Sequence, residues 1–286
     1  MGWLECDHLS RIPWLRHAFS TRVLHRNSRL LNSFEAVGIS PDQLFLKRLG
    51  VETLALATLR QIHSSVVHYV WSPSSLKYTP AGCTPAHAAT GALPCGDALL
   101  TDQPGILLSV RTADCVPLLL VDPAGQAIAA VHAGWRGSLE RIAEKTVGEM
   151  RRAFHTQPEE LLAAIGPSIR ACCYEVGEEV VEAFHGRFTQ CDGYFREPPL
   201  GDASWVTALQ RSLLVLSTKP QGRAAEGVAA AHLDLVAVTR DQLRNAGIRS
   251  ANIQVADFCT ACRTDLFFSY RKEGKTGRMI AVIGMV

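Results

Sequence analysis

Short apolar runs alternate with amphipathic stretches along this chain, most regularly from residue 97 onward. DALLTD, GILLSVRT, VPLLLV and QAIAAV are short, aliphatic and bounded by turn residues, which predicts buried strands. VPLLLV and QAIAAV flank Asp122-Pro123-Ala124-Gly125, whose Pro at the second position and Gly at the fourth suit a type I turn. The two runs therefore predict an antiparallel hairpin. If Asp122 sits opposite Gly125, the register sets Cys115 across from His132. Directly opposed residues hold their Cβ atoms about 4.5–5.5 Å apart, so a thiolate and an imidazole there can share one ion or one hydrogen bond. A bulge of one residue would break the alignment.

Upstream, 15–22 is a strand candidate and 40–50 is helical, with Ser40 as N-cap, Pro41 at the first helical position and Gly50 as terminator. The stretch 52–71 predicts one or two strands carrying Gln61, His63 and His68. Residues 72–96, dense in Pro, Gly, Ser, Thr and Ala, predict a long loop, either a lid or a surface excursion. After the hairpin, SLERIAEKTVGEMRRAF aligns Leu139, Ile142, Ala143, Thr146, Val147, Met150 and Phe154 on one helical face, with Ser138 as N-cap. A strand at 161–169 and a helix in EVGEEVVEAFHGRF follow, then an irregular excursion at 189–231, a helix closed by Gly247 and a strand in NIQVAD. LFFSYR and RMIAVIG, joined by KEGKTG, predict a terminal hairpin. With no repeats, heptads or dividing linker, one α+β domain over 1–286 is the simplest reading.

At 286 residues the chain is long enough to bury a core without staples. A net charge of +2 and the absence of any Lys/Arg run argue against a polyanion-binding role, so no nucleic-acid partner is expected. No segment approaches the ~18 apolar residues of a membrane span, and the first residues lack a signal-type apolar core. A cytoplasmic protein with small-molecule partners, monomeric or weakly self-associating, is expected. Nine cysteines, an odd and irregularly spaced set, then read as free thiols.

Cys115 with His132 is the strongest chemical signal, and His63 is the third candidate. A His, Cys and His set fits zinc with its fourth tetrahedral position left for water or substrate. The plain alternatives are a half-buried strand histidine for His63 and a core thiol for Cys115. The same pair also serves as a metal-free nucleophile and base. Asp114, next to Cys115, points to the opposite strand face and reads as a structural acceptor. Cys259-Thr-Ala-Cys262 is a CxxC lacking a second pair, and Cys172-Cys173 reads as packing. Arg22, Arg136 and Arg271 each end or follow a predicted strand. Singly they suit hydrogen bonds to loop carbonyls, and together they form a phosphate cradle.

TADCVP, VHAGWRGS, IGPSI with YEVG, and the late CT with FFSYR and TGR resemble the family first labelled multicopper polyphenol oxidoreductases, or laccase-like proteins. Its members are now understood largely as zinc-containing purine nucleoside phosphorylases that also deaminate adenosine. Gln61-Ile62-His63 looks like the family's Gln-Val-His element, so the resemblance implies that His63, Cys115 and His132 are the metal ligands and catalytic centre. It also implies a mixed β-sheet sandwich flanked by helices. The resemblance covers 97–188 and 232–286 well. It departs after Arg22, where the family's Gly-Gly-Val-Ser, Asn-Leu and Asn-Arg elements are not recognisable, and at Ser64, where the family has Gly. These changes fall at the substrate edge and leave the ligands in place.

The function expected from the resemblance is phosphorolysis of adenosine, inosine or methylthioadenosine, with adenosine deamination by zinc-activated water. Copper-dependent phenol oxidation is disfavoured, because one His/Cys/His set is too small for several coppers. A cysteine hydrolase using Cys115 and His132 is the metal-free alternative. A structural zinc with Cys259 or His68 as fourth ligand is the non-enzymatic one.

Overall fold

The computed structural model describes residues 2–26, 40–80, 93–196 and 231–286. In chain order its strands are β1 (Trp3–Leu4), β2 (Leu15–Ser20), β3 (Ala55–Ala57), β4 (Val67–Trp71), β5 (Lys77–Pro80), β6 (Ala98–Thr101), β7 (Ile106–Thr112) and β8 (Val116–Asp122). They continue with β9 (Ala127–Ala133), β10 (Leu162–Ile165), β11 (Glu175–Val176), β12 (Phe195–Arg196), β13 (Ala231–Leu233), β14 (Ile253–Val255) and β15 (Met279–Met285). One sheet has the order β1-β2-β15-β7-β3, a second β14-β10-β8-β9-β6-β4-β5, and a small third β11-β13-β12. Both large sheets are mixed: β3 lies parallel to β7, β4 to β6 and β14 to β10.

The two large sheets pack face to face. Leu108, Val110, Ala281 and Ile283 of the first meet Leu119, Val121, Ile128 and Ala130 of the second. The outer face of the second sheet, with Leu118, Leu120, Ala129 and Val131, is covered by the helices Ile142–Phe154 and Leu235–Asn245. Leu107, Ile280 and Val282 on the outer face of the first pack against Phe45 and Leu46 of the helix Pro41–Leu49. Central strands covered on both faces need continuous apolar sequence, and β8, β9 and β15 are buried at every position. The mixed α+β sandwich flanked by helices is thus the observed architecture.

Local signals act as their chemistry dictates. The Ser40 side chain accepts from the Gln43 N–H while Gln43 accepts from the Ser40 N–H, a capping box, and Gly50 ends that helix at φ 73°. Several expectations change. The hairpin pairs Asp122 with Ala127 and Pro117 with His132, so the loop holds four residues and the register moves by two. Asp122 Oδ1 accepts the Ala124 and Gly125 N–H groups, and Gln126 takes φ 47° to re-enter the strand. Because side chains alternate with period two, a two-residue shift returns Cys115 to the His132 face, now as a diagonal rather than a direct neighbour.

Ser138 is not an N-cap. It lies inside a first short helix, Trp135–Leu139, that starts at Gly134, and a left-handed Arg141 (φ 60°) separates this from Ile142–Phe154. The loop predicted at 72–96 contains β5, and Gln61 and His63 lie in a connection between β3 and β4 rather than on a strand. The terminal hairpin is absent: β15 is paired on both edges, by β2 and β7, which leaves no edge for LFFSYR. That segment instead turns, with Ser269 capping the short helix Tyr270–Glu273. The remainder of the 72–96 and 189–231 excursions and the divergent stretch after residue 26 lie outside the described residues. Among the described residues no helix is long and apolar enough to cross a membrane.

Candidate metal centre

His63, Cys115 and His132 converge where β8 begins and β9 ends, and their ligand atoms all lie within 4.8 Å of one another. The His63 and His132 rings meet edge to face with centroids 5.0 Å apart. Gly134, the next residue but one after His132, leaves the room: a Cβ there would stand 2.9 Å from His63 Cδ2 and 3.1 Å from Cys115 Sγ. His63 arrives from a loop fastened to its surroundings. Gln61 copies a strand pairing with its side chain, its amide donating to the Arg111 carbonyl (2.9 Å) and accepting from the Arg111 N–H (2.8 Å).

The organising group behind the three candidate ligands is Asp97, which the sequence pattern does not single out. It is fully buried. Its Oδ1 accepts from His132 Nδ1 at 2.8 Å and from the His63 N–H at 3.0 Å, and its Oδ2 accepts from the Ser64 N–H and hydroxyl at 2.6 and 2.7 Å. The Ile62 N–H adds a longer bond to Oδ2. Successive amides wrapped around a carboxylate fix the left-handed backbone of His63 (φ 59°), a conformation that costs energy for a residue with a side chain. With Nδ1 protonated against Asp97, Nε2 is the His132 nitrogen left for an ion, the usual arrangement behind a ligating histidine. Ser64, where the resembled family has Gly, adds its hydroxyl to this carboxylate. One signal for Asp97 was present in the sequence: a carboxylate heading an otherwise apolar strand needs strong partners.

The electrostatics are those of a charged trio. Burial alone would raise the Cys115 thiol, but the facing His132 imidazolium, with hydrogen bonds from both rings, pulls it down to about 6. Burial alone would lower His132, but the Cys115 thiolate and then Asp97 push it up to about 9. Burial also opposes the Asp97 charge, and bonds from His132 and Ser64 outweigh it, holding the carboxyl below its ordinary value.

Residues 39–286 match the family model described as multi-copper polyphenol oxidoreductase laccase. The chain belongs to that family. A purine nucleoside phosphorylase of Deinococcus radiodurans is 41% identical over 191 residues, which are 66% of this chain and 61% of that protein, so less than two thirds of that relative is spanned. The adenosine deaminase RL5, from an unknown prokaryotic organism, is 36% identical over 228 residues, 79% of this chain and 73% of that one. Among solved structures, Bacillus licheniformis YfiH matches with a TM-score of 0.72 at 25% identity, covering 100% of this chain and 97% of that one. YlmD from Geobacillus stearothermophilus gives 0.68 at 26% identity over 100% and 96% of the two chains.

Around the trio in this laccase-family chain stand Tyr174, Arg136 and Arg271. The Arg271 guanidinium carbon lies 5.1 Å from the centre of the Tyr174 ring, and the phenol feels Cys115, Arg271 and Arg136 together. Burial first, then the Cys115 thiolate, push that phenol up to about 12, so it keeps its proton at neutral pH. In the sequence Tyr174 stands out only as the first residue of YEVG. Arg22 is held by its own set of partners: its Nη1 donates to the Thr264 and Phe267 carbonyls and to Glu273, and its guanidinium lies over Phe268. Asp114 is the structural acceptor expected of it, bonding the Thr260 hydroxyl (2.6 Å) and the Arg271 N–H (2.7 Å). Neither proposed fourth ligand joins the centre. His68 Nε2 meets the Cys95 carbonyl, and Cys259 belongs to a different group of side chains.

Proposed function

We propose that this chain is a zinc-dependent purine nucleoside phosphorylase acting on adenosine, inosine or methylthioadenosine with phosphate, with adenosine deaminase activity besides. The observation that carries the reading is a donor set of two imidazoles and a thiolate, backed by a buried carboxylate and bordered by two guanidiniums. Three such ligands with an open fourth position fit zinc in its catalytic form. Bound there, zinc supplies a Lewis acid and an activated water. The chain supplies the rest. Asp97 holds the proton of His132 on Nδ1 and so keeps the ring aimed. Arg136 and Arg271 bring positive charge to the rim where phosphate enters. In phosphorolysis a phosphate oxygen bonds to the anomeric carbon as the bond from that carbon to the base breaks, and the proton of the attacking phosphate passes to the departing base; Tyr174, which keeps its own proton, offers a hydrogen bond at that rim. The phosphorylase and deaminase names of the relatives support this assignment of substrates.

Zinc-loaded protein incubated with adenosine, inosine or methylthioadenosine, with and without phosphate, is expected to release free base only when phosphate is present and to form inosine from adenosine. Chromatography reads both products, and the absence of both would end the proposal. Copper chemistry is disfavoured by the same donors, since two imidazoles and one thiolate make a single small site rather than a multi-copper array.

A second reading, a cysteine hydrolase, draws on the ion pair itself: Cys115, His132 and Asp97 line up as thiolate, imidazolium and orienting carboxylate. Both readings predict that alkylation of Cys115 in metal-free protein, followed by peptide mapping, rises with an inflection near pH 6 rather than near the ordinary thiol value of 9.0. They part on zinc. Under the phosphorylase reading zinc protects Cys115 and is required for turnover; activity that survives chelation and is lost on alkylation selects the hydrolase.

A further inference from the structure

We infer that Cys172, Cys173, Cys259 and Cys262 form a second metal site, a tetrathiolate centre for Zn2+. The two halves are nearly ninety residues apart in sequence, which is why the CxxC lacks a second pair nearby and the adjacent cysteines read as packing. The fold supplies the missing partner. All four sulfurs lie within 4.8 Å of one another, with Cys173 and Cys172 at 3.3 and 3.6 Å from Cys262. Tetrahedral zinc with bonds of about 2.3 Å places its sulfurs about 3.8 Å apart. The observed spacing is close to that edge and far longer than a disulfide bond of about 2.05 Å.

The backbone is shaped for the purpose without help from an ion. Residues 170–174 form a turn closed by the Cys173 and Tyr174 N–H groups on the Arg170 carbonyl, which presents Cys172 and Cys173 together. Residues 259–263 form a second turn, closed by the Arg263 N–H on the Cys259 carbonyl. The Arg170 and Cys262 N–H groups both point at the Cys259 sulfur, as orienting bonds do behind metal thiolates. A parallel bridge between Ser168 and Cys259 locks the turns side by side, and the Arg170 guanidinium clamps the Ala256 and Phe258 carbonyls. Cys172 and Cys262 are exposed while Cys259 is buried, so an ion has an entry path and a closed floor. Each ligating thiol gives its proton to solvent as zinc binds. Four protein ligands make this a structural centre. It would staple the turn bearing Tyr174 to the segment that Asp114 ties through Thr260 and Arg271.

The test does not depend on the proposed activity. In a Cys115→Ser protein, purified anaerobically with reductant, the first site has lost its thiolate. Co2+ titration of this chain is expected to give thiolate-to-cobalt charge transfer and the intense visible bands of a tetrahedral site, saturating at one cobalt per chain. Cys262→Ser in the same background should remove most of that absorption. Metal analysis of the parent chain should find two zinc ions, falling to one in either Cys172→Ser or His63→Ala. No thiolate–cobalt absorption in the Cys115→Ser protein, a parent zinc content that Cys172→Ser leaves unchanged, or a Cys173–Cys262 disulfide that forms in the presence of reductant would each overturn the site. Should Cys172→Ser or Cys262→Ser fail to fold, the tetrathiolate intensity of the cobalt bands in the Cys115→Ser protein still decides.

Discussion

Replacing Asp97 with Asn is expected to weaken the proposed zinc binding at the His63, Cys115 and His132 centre by about 10–100-fold. The change preserves shape but not hydrogen-bonding sense. Every group around this side chain donates: three backbone N–H groups, the Ser64 hydroxyl and His132 Nδ1. An amide offers one acceptor and one donor, so either the Ser64 end or the His132 end meets an N–H. If it is the His132 end, the imidazole is driven to carry its proton on Nε2, the nitrogen an ion needs, which is the tautomer error known from Asp→Asn changes behind catalytic histidines. Chelator competition reads the affinity, and the phosphorolysis assay should fall with it. Unchanged zinc affinity would show that the carboxylate only supports the loop. The same variant reports on acid stability. Asp97 is depressed below its ordinary value of 3.8, so its stabilisation is complete above that value and is lost as pH falls through the lower folded value. Acid unfolding of the Asp97→Asn protein should therefore show a shallower slope in that window.

Gly166→Ala should cost about 3 kcal/mol of folding stability, at the upper end of what overpacking a core usually does. Gly166 follows β10, its N–H bonded to the Pro117 carbonyl. A Cβ there would overlap two ring carbons of Phe19 and stand 2.9 Å from the Pro117 ring. Neither neighbour is the free end of a flexible chain, and Phe19 belongs to the core between the sheets. Gly148→Ala is the matched control: it sits within the helix Ile142–Phe154 with no atom within 4 Å of a built Cβ. It should stabilise by about 0.5–1 kcal/mol, from helix propensity and reduced freedom of the unfolded chain. Urea denaturation of both variants separates the two effects by sign.

Much of the architecture was legible because burial writes itself into local pattern. The continuous runs of β7, β8, β9 and β15 and the capping box at Ser40 needed no tertiary information. The hairpin was legible in kind but not in register, since a left-handed Gln126 lengthens the loop in a way that Pro123 and Gly125 do not announce. LFFSYR failed for a tertiary reason: its apolar residues are real core, with Phe267 and Phe268 packed against Met279, but both edges of β15 are already taken. At the candidate centre, Cys115 and His132 could be paired from the hairpin, whereas His63 needed a resemblance and Asp97 needed the fold. Spacing along a chain cannot reveal a carboxylate that acts on amides 33 to 35 residues earlier.

The placement of β15 between β2 and β7 also governs the order of assembly on the ribosome. Until residues 279–285 have left the exit tunnel, the first sheet is two fragments, each with an unpaired edge facing the gap that the missing strand will fill. A nascent chain stalled before that point carries two sticky margins at once, a known route to aggregation. Ribosome-arrested chains that hold 279–285 inside the exit tunnel, and chains extended by a C-terminal linker that carries this segment past it, should accordingly differ sharply in protease resistance and in their recruitment of chaperones.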